Sequence, residues 1–248
     1  MNVLQGRTAL ITGAAGGIGA AIAGEFRRAG ATLALTDRDQ SMLEPLLEQP
    51  AFASGTTGYG ADLTHAAEVE RMVRAATADH GRIDILVNAA GILEPLPFLE
   101  MDVETWDRTI EGNLRSVFLV SRAVVPAMVE ARWGRVINIA SQMGQKGGER
   151  RAHYSAAKAG VLGFTKAVAR EVGRHNVLVN AIAPGPISTP LIAGMSAEDR
   201  RRRAAELPLG RFGTPAEVAP SALLLASDPG GNLYVGQTLG PNSGDVMA

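Results

Sequence analysis

The feature that most constrains the fold is the alternation of short apolar runs with longer stretches of helical spacing. The apolar runs are nearly continuous Val, Ile and Leu, which is typical of parallel strands covered on both faces. They fall at residues 8–11, 32–36, 58–61, 83–88, 135–139 and 177–182, with a last one near 237–239. Helical spacing occupies residues 19–29, 41–49, 66–80, 103–132, 154–175 and 215–226. Repeated strand–helix units with right-handed crossovers predict an α/β protein with a doubly wound parallel sheet and helices on both faces.

We expect residues 1–248 to form one Rossmann-type domain, because α/β proteins of this length often fold as one domain and no Pro/Gly/Ser linker divides the chain. The segment 184–213 departs from the strand–helix rhythm, with four prolines and an arginine run at 200–203. A segment with little regular structure inside a compact domain is typical of a lid or substrate loop. The arginine run is expected on a solvated helical face, with an anion- or carrier-binding patch as the alternative.

Composition excludes several classes of protein. With 46% apolar and 20% charged residues the chain can bury a full core. The absence of cysteine excludes a disulfide scaffold, a thiolate metal site and a cysteine nucleophile, and we predict no metal. A net charge of −1 provides no overall field for nucleic acid or an anionic membrane. Without a transmembrane-length apolar run or a signal peptide, the expectation is a cytoplasmic protein.

Residues 12–19, Thr-Gly-Ala-Ala-Gly-Gly-Ile-Gly, join the first predicted strand directly to a helix. Glycines allow a tight turn and close approach of a ligand to the backbone, and a helix N-terminus offers free N–H groups and a positive dipole end. The segment therefore predicts a pyrophosphate cradle, although its Gly-x3-Gly-x-Gly spacing differs from the usual G-x-G-x-x-G fingerprint.

Polar residues follow the next strands. Asp37 ends the second strand, where a carboxylate accepts hydrogen bonds from the ribose hydroxyls of NAD and repels a 2′-phosphate. The alternative is that Asp37 caps the following turn. Asp62 follows the third strand, near an expected adenine edge, and residues 88–91 follow the fourth. We predict NAD rather than NADP, with Arg38 as the residue able to turn toward a 2′-phosphate.

Tyr154 and Lys158 stand four residues apart near the start of a predicted helix and so share one face. A tyrosine that acts as a general acid–base near neutral pH needs a pKa two or three units below its usual value of about 10. An ammonium group about 4 Å away supplies an effect of that size. Ser141, which follows a strand, can polarise a substrate oxygen. Without further context, a surface contact between Tyr154 and Lys158 is the alternative.

At this point the sequence resembles the classical short-chain dehydrogenase/reductases over essentially its whole length. Residues 12–19 match their TGxxxGIG motif, and residues 88–91 match NNAG with Ala89 at the second Asn. Residues 184–185 and 236–237 match later motifs. The resemblance implies a catalytic tetrad of Asn113, Ser141, Tyr154 and Lys158.

The resemblance also implies roles for these residues. Tyr154 is the acid–base, and Lys158 lowers its pKa and holds the nicotinamide ribose. Ser141 binds the substrate oxygen, and Asn113 positions a water for the proton relay. The implied cofactor contacts are Gly13, Gly17, Ile18, Gly19, Asp37, Arg38, Asp62, Leu63, Asn88, Ala89, Gly91, Tyr154, Lys158, Pro184, Gly185, Ile187 and Thr189.

Within the family, residues 153–160 and 179–185 look most like those of 3-oxoacyl-acyl-carrier-protein reductases. This likeness implies hydride transfer between a nicotinamide cofactor and a carbonyl/alcohol pair, with a carrier- or CoA-bound 3-oxoacyl group as the favoured substrate. It also implies a homotetramer, with the helices at 103–132 and 154–175 as the shared faces. Those reductases usually use NADPH, whereas Asp37 favours NAD. Two alternatives stay open, an NAD-dependent dehydrogenase of a sugar, polyol or other secondary alcohol, and a dinucleotide-sensing protein.

The loop at 142–152 is strongly basic, with Lys146, Arg150 and Arg151. It could meet a carboxylate, a phosphate or a CoA thioester, but solvated charge is the favoured interpretation. His153, beside Tyr154, is expected to point outward and to have no catalytic role.

Overall fold

The computed structural model describes residues 2–247 and contains a seven-stranded sheet in which every paired strand runs parallel. The strands are β1 (Thr8–Thr12), β2 (Thr32–Asp37), β3 (Thr56–Gly60), β4 (Ile85–Asn88), β5 (Gly134–Ile139), β6 (Val177–Ile182) and β7 (Thr238–Leu239). Their order is β3-β2-β1-β4-β5-β6-β7. The order reverses between β1 and β4, so the carboxyl ends of these strands border the crevice where doubly wound sheets bind ligands. The predicted fold class is confirmed.

The helices cover both faces of the sheet. They are α1 (Gly17–Arg28), α2 (Glu44–Leu47), α3 (Ala66–His80), α4 (Val103–Ile110), α5 (Ser116–Glu130), α6 (Met143–Lys146), α7 (Ala152–Val172), α8 (Ala197–Ala205) and α9 (Pro215–Ala226). Helices α1 and α9 pack on one face, and α3, α5 and α7 pack on the other.

The two apolar layers explain why the strands are continuous apolar runs. In β1, Ala9 and Ile11 pack into the layer under α1 and α9, whereas Leu10 packs into the layer under α3 and α5. Side chains of a strand alternate between faces, so a strand that is covered on both sides needs apolar residues at every position.

The predicted helix at 103–132 is interrupted. A π-helical turn at Glu111–Arg115 separates α4 from α5, and Asn113 lies inside this turn. The amide of Asn113 donates to the carbonyl oxygens of Thr109, at 2.9 Å, and of Ile92, at 3.0 Å. Such single π turns inside α-helices are frequent at functional sites.

The predicted helix at 41–49 was wrong in its extent. A 3₁₀ turn at Gln40–Leu43 precedes the four-residue α2. Pro45 has no N–H with which to continue a helical ladder, and Pro50 disfavours helical conformation at the residue before it.

The prediction of little regular structure at 184–213 was also wrong in part, because α8 lies within this segment. Ser196 caps α8, since its hydroxyl oxygen accepts from the backbone N–H of Asp199 at 3.0 Å. Acidic residues in the first turn and Arg202 and Arg203 in the last turn match the helix dipole. Arg201 and Arg202 are exposed, as expected for a solvated face, but Arg203 is half-buried.

Among residues 2–247 the structure has no helix whose length and hydropathy would suit a membrane span. Over the same residues no three His, Asp or Glu side chains converge as metal ligands would.

Candidate active site

The glycine-rich turn between β1 and α1 brings the backbones of β1 and β4 into contact. Gly13 has a φ of +63°, and a Cβ added there would lie 2.7 Å from the backbone nitrogen of Ala90. A Cβ added at Gly19 would overlap the carbonyl oxygen of Gly13. Helix α1 begins after Gly16, which as a glycine offers no side chain to cap the first-turn N–H groups. The start of α1 thus presents N–H donors that no side chain caps, which suits a pyrophosphate.

Asp37 lies beside this turn. One carboxylate oxygen accepts from the backbone N–H of Ala15 at 3.0 Å, and the other accepts from the N–H of Arg38 at 2.9 Å. The following turn is capped by Asp39 instead, whose carboxylate accepts from the N–H of Ser41 at 2.9 Å. The alternative role of Asp37 as a turn cap is therefore wrong. Its carboxylate is held between the end of β2 and the glycine turn, with Arg38 exposed next to it.

Two further predicted cofactor residues follow β3. One carboxylate oxygen of Asp62 accepts from the N–H of Thr64 at 2.9 Å and from its hydroxyl at 2.7 Å. These bonds fix the turn after β3 at the ligand-binding end of the sheet. Leu63 is buried and belongs to the apolar layer under α3 and α5.

Asn88 at the end of β4 lies in a buried polar network. Its amide donates to Oδ1 of Asn138 at 2.8 Å and to the hydroxyl of Ser121 at 3.2 Å. Asn138 in turn donates to the hydroxyl of Thr165 at 2.9 Å. Next to it, the hydroxyl oxygen of Thr12 accepts from the N–H groups of Ala89 and Ala90 at 3.1 and 3.2 Å. The network joins the ends of β1, β4 and β5, so the side chain of Asn88 is used to hold the sheet end together.

Sequence reasoning missed the partners of Asn88, which are Ser121, Asn138 and Thr165. The available signal was a polar residue inside an apolar strand, because Asn138 interrupts the run of β5 and is fully buried. A buried amide in such a position needs hydrogen-bond partners.

We expect Asn88→Ala to lower the free energy of unfolding by about 1–3 kcal/mol, because it leaves the buried acceptor of Asn138 without its donor. Gln49→Ala, which removes an exposed amide bonded to a backbone carbonyl, is the control and should cost less than about 0.5 kcal/mol. Urea unfolding of both variants measures the difference. Equal costs would show that the network does not stabilise the sheet end.

The structure brings the four residues of the predicted tetrad to one place. Ser141 follows β5, and its hydroxyl oxygen accepts from the N–H of Met143 at 3.1 Å. Tyr154 and Lys158 lie one turn apart on α7, both buried, with the Lys158 ammonium 5.6 Å from the Tyr154 ring centre. The ammonium donates to the carbonyl oxygen of Ile139 at 2.8 Å.

Gly91 allows Asn113, the fourth residue of the tetrad, to approach Lys158. A Cβ added at Gly91 would lie 2.7 Å from Oδ1 of Asn113 and 3.5 Å from Nζ of Lys158. Asn113 is fully buried, and its Oδ1 also accepts from the N–H of Ile92 at 3.2 Å. The π turn therefore places the amide oxygen of Asn113 and the Lys158 ammonium on the same side of Gly91.

Burial governs the electrostatics of the two central residues. It raises the pKa of Tyr154 to about 12, while a hydrogen bond with Ser141 and the positive charge of Arg151 act in the opposite direction. It lowers the pKa of Lys158 to about 8. Removal from water penalises the charged form of each group. Arg151 is therefore a cation whose charge acts on the pKa of Tyr154, a role that the sequence analysis did not assign to it.

The start of the segment 184–213 crosses both the Ser141 turn and the glycine turn. The carbonyl oxygen of Pro184 accepts from the N–H of Gln142 at 3.1 Å. A Cβ added at Gly17 would lie 2.8 Å from Cγ2 of Thr189. The predicted cofactor residues Pro184, Gly185, Ile187 and Thr189 therefore lie above the carboxyl ends of the strands, together with residues of the other motifs.

His153 does not point outward, and this expectation was wrong. Its side chain is fully buried, because α7 packs against α4 and α6 as well as the sheet. Within residues 2–247 neither ring nitrogen has a hydrogen-bond partner.

Comparisons with known proteins agree with this geometry. A family model described as enoyl-(acyl carrier protein) reductase matches residues 13–244. The chain is 39% identical over 245 residues to a 3-oxoacyl-[acyl-carrier-protein] reductase of Thermotoga maritima, which covers 98% of this chain and 99% of that protein. It is 39% identical over 244 residues to a reductase of the same name from Vibrio cholerae, covering 98% and 99%. It is 38% identical over 245 residues to an acetoacetyl-CoA reductase of Acinetobacter, covering 97% and 98%.

These similarities extend over nearly the whole chain, and the range matched by the family model, residues 13–244, spans Ser141, Tyr154 and Lys158. A seven-stranded parallel sheet with a glycine cradle at its first turn is a fold that holds dinucleotides. The chain belongs to the short-chain dehydrogenase/reductase family and is an oxidoreductase that uses a nicotinamide cofactor.

Proposed function

We propose that this enzyme reduces 3-oxoacyl thioesters to 3-hydroxyacyl thioesters, with NADH preferred over NADPH. The observation that carries the proposal is the buried Tyr154 set beside Ser141 and one helical turn from Lys158. Burial raises the pKa of Tyr154 to about 12, so the hydroxyl keeps its proton at neutral pH. A protonated tyrosine beside Ser141 is ready to donate a proton to a carbonyl oxygen, as the reductive direction requires. The full-length relatives named as 3-oxoacyl and acetoacetyl-CoA reductases support the substrate class.

The residues of this chain would share the chemistry as follows. The bound nicotinamide supplies a hydride to the substrate carbonyl carbon. The Ser141 hydroxyl donates a hydrogen bond to the carbonyl oxygen, and Tyr154 gives that oxygen its proton. The tyrosinate that remains is stabilised by the positive charges of Lys158 and Arg151 until it is reprotonated.

The cofactor site proposed here has two parts. The glycine turn and the start of α1 would hold the pyrophosphate, since no side chain caps the first-turn N–H groups of α1. Asp37 would accept hydrogen bonds from the ribose hydroxyls, because its oxygens are held at the edge of the same turn. This arrangement supports NAD as the preferred coenzyme.

Three other expectations remain proposals. The segment 184–213 would act as a lid over the substrate, because its first residues lie across the Ser141 and glycine turns. A homotetramer would use the outer faces of the region around α4 and α5 and of α7. A cytoplasmic location is the third of these proposals.

We expect the reductive kcat/KM to be level below a pH of about 8 and to fall above it, as Lys158 loses its proton. The protonated form is the active one, so activity is present below this pKa and is lost as the pH rises through it. Lys158→Arg keeps its charge at all these pH values, so its profile should lose the alkaline fall, whatever its absolute rate. Parallel profiles in the two enzymes would assign the fall to the substrate or to another group.

A substrate panel tests the proposal. Initial rates with NADH are measured for acetoacetyl-CoA and an acyl-carrier-protein thioester, and with NAD for sugars, polyols and 3-hydroxy acids. We expect kcat/KM to be highest for the thioesters. A higher value for a sugar or polyol would establish the alcohol dehydrogenase alternative. Tight NADH binding without turnover of any compound would establish the sensing alternative.

A further inference from the structure

Arg151 is a half-buried cation for which the described residues provide no acidic partner. It is the residue directly before α7, three positions before Tyr154. Over residues 2–247 its guanidinium makes one hydrogen bond, from Nη1 to the carbonyl oxygen of Glu149 at 3.0 Å. A guanidinium has five N–H donors, so most of its capacity is unused. A partly desolvated charge is costly unless an anion pairs with it.

Two acids of this region, Asp245 and Glu206, pair with other cations. Asp245, whose side chain is largely buried, pairs with Lys146 at 2.7 Å and also with Arg203 of α8. Glu206 pairs with Arg203 at 2.6 Å. The carboxylate of Glu149 exerts only a weak favourable field on Arg151. The cluster of Lys146, Arg150, Arg151 and Arg203 therefore keeps an excess of positive charge.

Arg151 also lies close enough to Tyr154 for their charges to interact. The charges of Arg151 and Tyr154 interact, and the charge of Arg203 reaches Arg151 from α8. Burial lowers the pKa of Arg151, and the repulsion from Arg150 and Arg203 lowers it further. Arg151 thus joins the loop after Ser141 to the start of α7, where its backbone N–H donates to the carbonyl oxygen of Gly148 at 3.1 Å, and its guanidinium keeps unused donors within charge range of Tyr154.

We propose that Arg151 determines specificity by binding a carboxylate on the acyl part of the substrate, a few bonds from the carbonyl that Tyr154 protonates. The inference rests on the proposed function and deepens it, because it selects 3-oxo compounds that carry such a carboxylate. Two sources share this chemistry, a free 3-oxo acid and a 3-oxoacyl thioester whose chain ends in a carboxylate. A planar guanidinium can bind either one through two parallel hydrogen bonds.

The first experiment compares acetoacetate with acetoacetamide, which have nearly the same shape and differ in charge. The ratio of their kcat/KM values is measured for the native enzyme and for Arg151→Gln, Arg151→Lys and Arg150→Gln. We expect the native enzyme to favour acetoacetate and Arg151→Gln to lower the ratio by about 10- to 100-fold, the range for a hydrogen bond to a charged group. Any effect of Arg151 on the pKa of Tyr154 is common to both substrates and cancels in the ratio.

The other variants separate charge from position. Arg151→Lys keeps the charge. The logarithm of its acetoacetate-to-acetoacetamide kcat/KM ratio should stay above half of the native value. Arg150→Gln removes the exposed neighbouring charge and should change the ratio less than about threefold. Equal losses on both substrates in Arg151→Gln would overturn the proposal and leave Arg151 as a positioning residue for Tyr154.

A second comparison distinguishes a free 3-oxo acid from a thioester that ends in a carboxylate. It also separates a failure of this inference from a failure of the proposed function. A 3-oxoacyl-CoA that ends in a carboxylate is compared with its methyl ester, again in native enzyme and Arg151→Gln. If acetoacetyl-CoA is reduced well but Arg151→Gln changes the kcat/KM ratio of neither substrate pair, this inference is overturned. The proposed function then still stands. If no 3-oxo compound reacts, the proposed function fails, and calorimetric titration with isobutyrate and isobutyramide decides the inference. Carboxylate binding that Arg151→Gln does not weaken would overturn it.

Discussion

Tyr154→Phe is expected to lower the reductive kcat by at least about 100-fold while the affinity for NADH stays within about twofold. The substitution removes only the hydroxyl that donates the proton, and general acid–base catalysis contributes on this scale. The ring remains to fill its buried position in α7. NADH oxidation at saturating substrate gives kcat, and NADH fluorescence titration gives the affinity.

Tyr59→Phe is the matched control for this prediction. Tyr59 lies on the edge strand β3 and donates to Asp79 at 2.7 Å, far along the sheet from β5. It should keep nearly full activity. Retention of most activity by Tyr154→Phe would mean that another group protonates the substrate.

Asp37 is expected to give NADH at least a tenfold advantage over NADPH in kcat/KM. A 2′-phosphate carries about −1.5 to −2 charges near neutral pH. At about 5 Å and an effective dielectric of about 20, one unit of repulsion from Asp37 is roughly 3 kcal/mol, or over 100-fold in affinity. The exposed Arg38 offsets part of this repulsion, which is why the predicted advantage is smaller than the full electrostatic figure.

Two substitutions test the role of Asp37. Asp37→Asn keeps the shape and removes the charge, so the coenzyme ratio should shift toward NADPH by at least about tenfold. Asp39→Asn removes the charge of the nearby turn cap and should leave the ratio nearly unchanged. A native preference for NADPH would show that Arg38 governs the pocket and that our interpretation of Asp37 is wrong.

The sheet could be predicted from the sequence because its signal is local and dense. Strands such as β1 and β6 are buried at every position, and their apolar runs coincide with the predicted ranges. The glycine turn could be predicted equally well, because the lack of a side chain at Gly13 is a property of the residue itself. These features depend on neighbours along the chain.

Features that depend on distant contacts could not be read in the same way. His153 was expected to face solvent, but it is buried. Its burial depends on how α7 packs against α4 and α6, which the local sequence does not determine. The π turn around Asn113 depends on the backbone of Ile92, twenty-one positions earlier. A pattern of residue types contains neither contact.

Charge was the hardest property to assign from sequence. The spacing of Tyr154 and Lys158 indicated an ammonium next to a phenol, yet Lys158 is turned to the carbonyl oxygen of Ile139. Arg151 was visible only as one of several basic residues in a loop. Arg151 differs from Arg150 in being half-buried, and burial becomes apparent only in the fold.

A single-turnover experiment tests the central claim most directly. The enzyme is saturated with NADH and mixed with acetoacetyl-CoA, and the loss of NADH absorbance is followed together with formation of 3-hydroxybutyryl-CoA. We predict that one hydroxyacyl thioester forms for each NADH oxidised, at a rate that Tyr154→Phe slows by at least about 100-fold. Tight binding of NADH with no oxidation by acetoacetyl-CoA, while the same enzyme oxidises a sugar or polyol with NAD, would contradict the account.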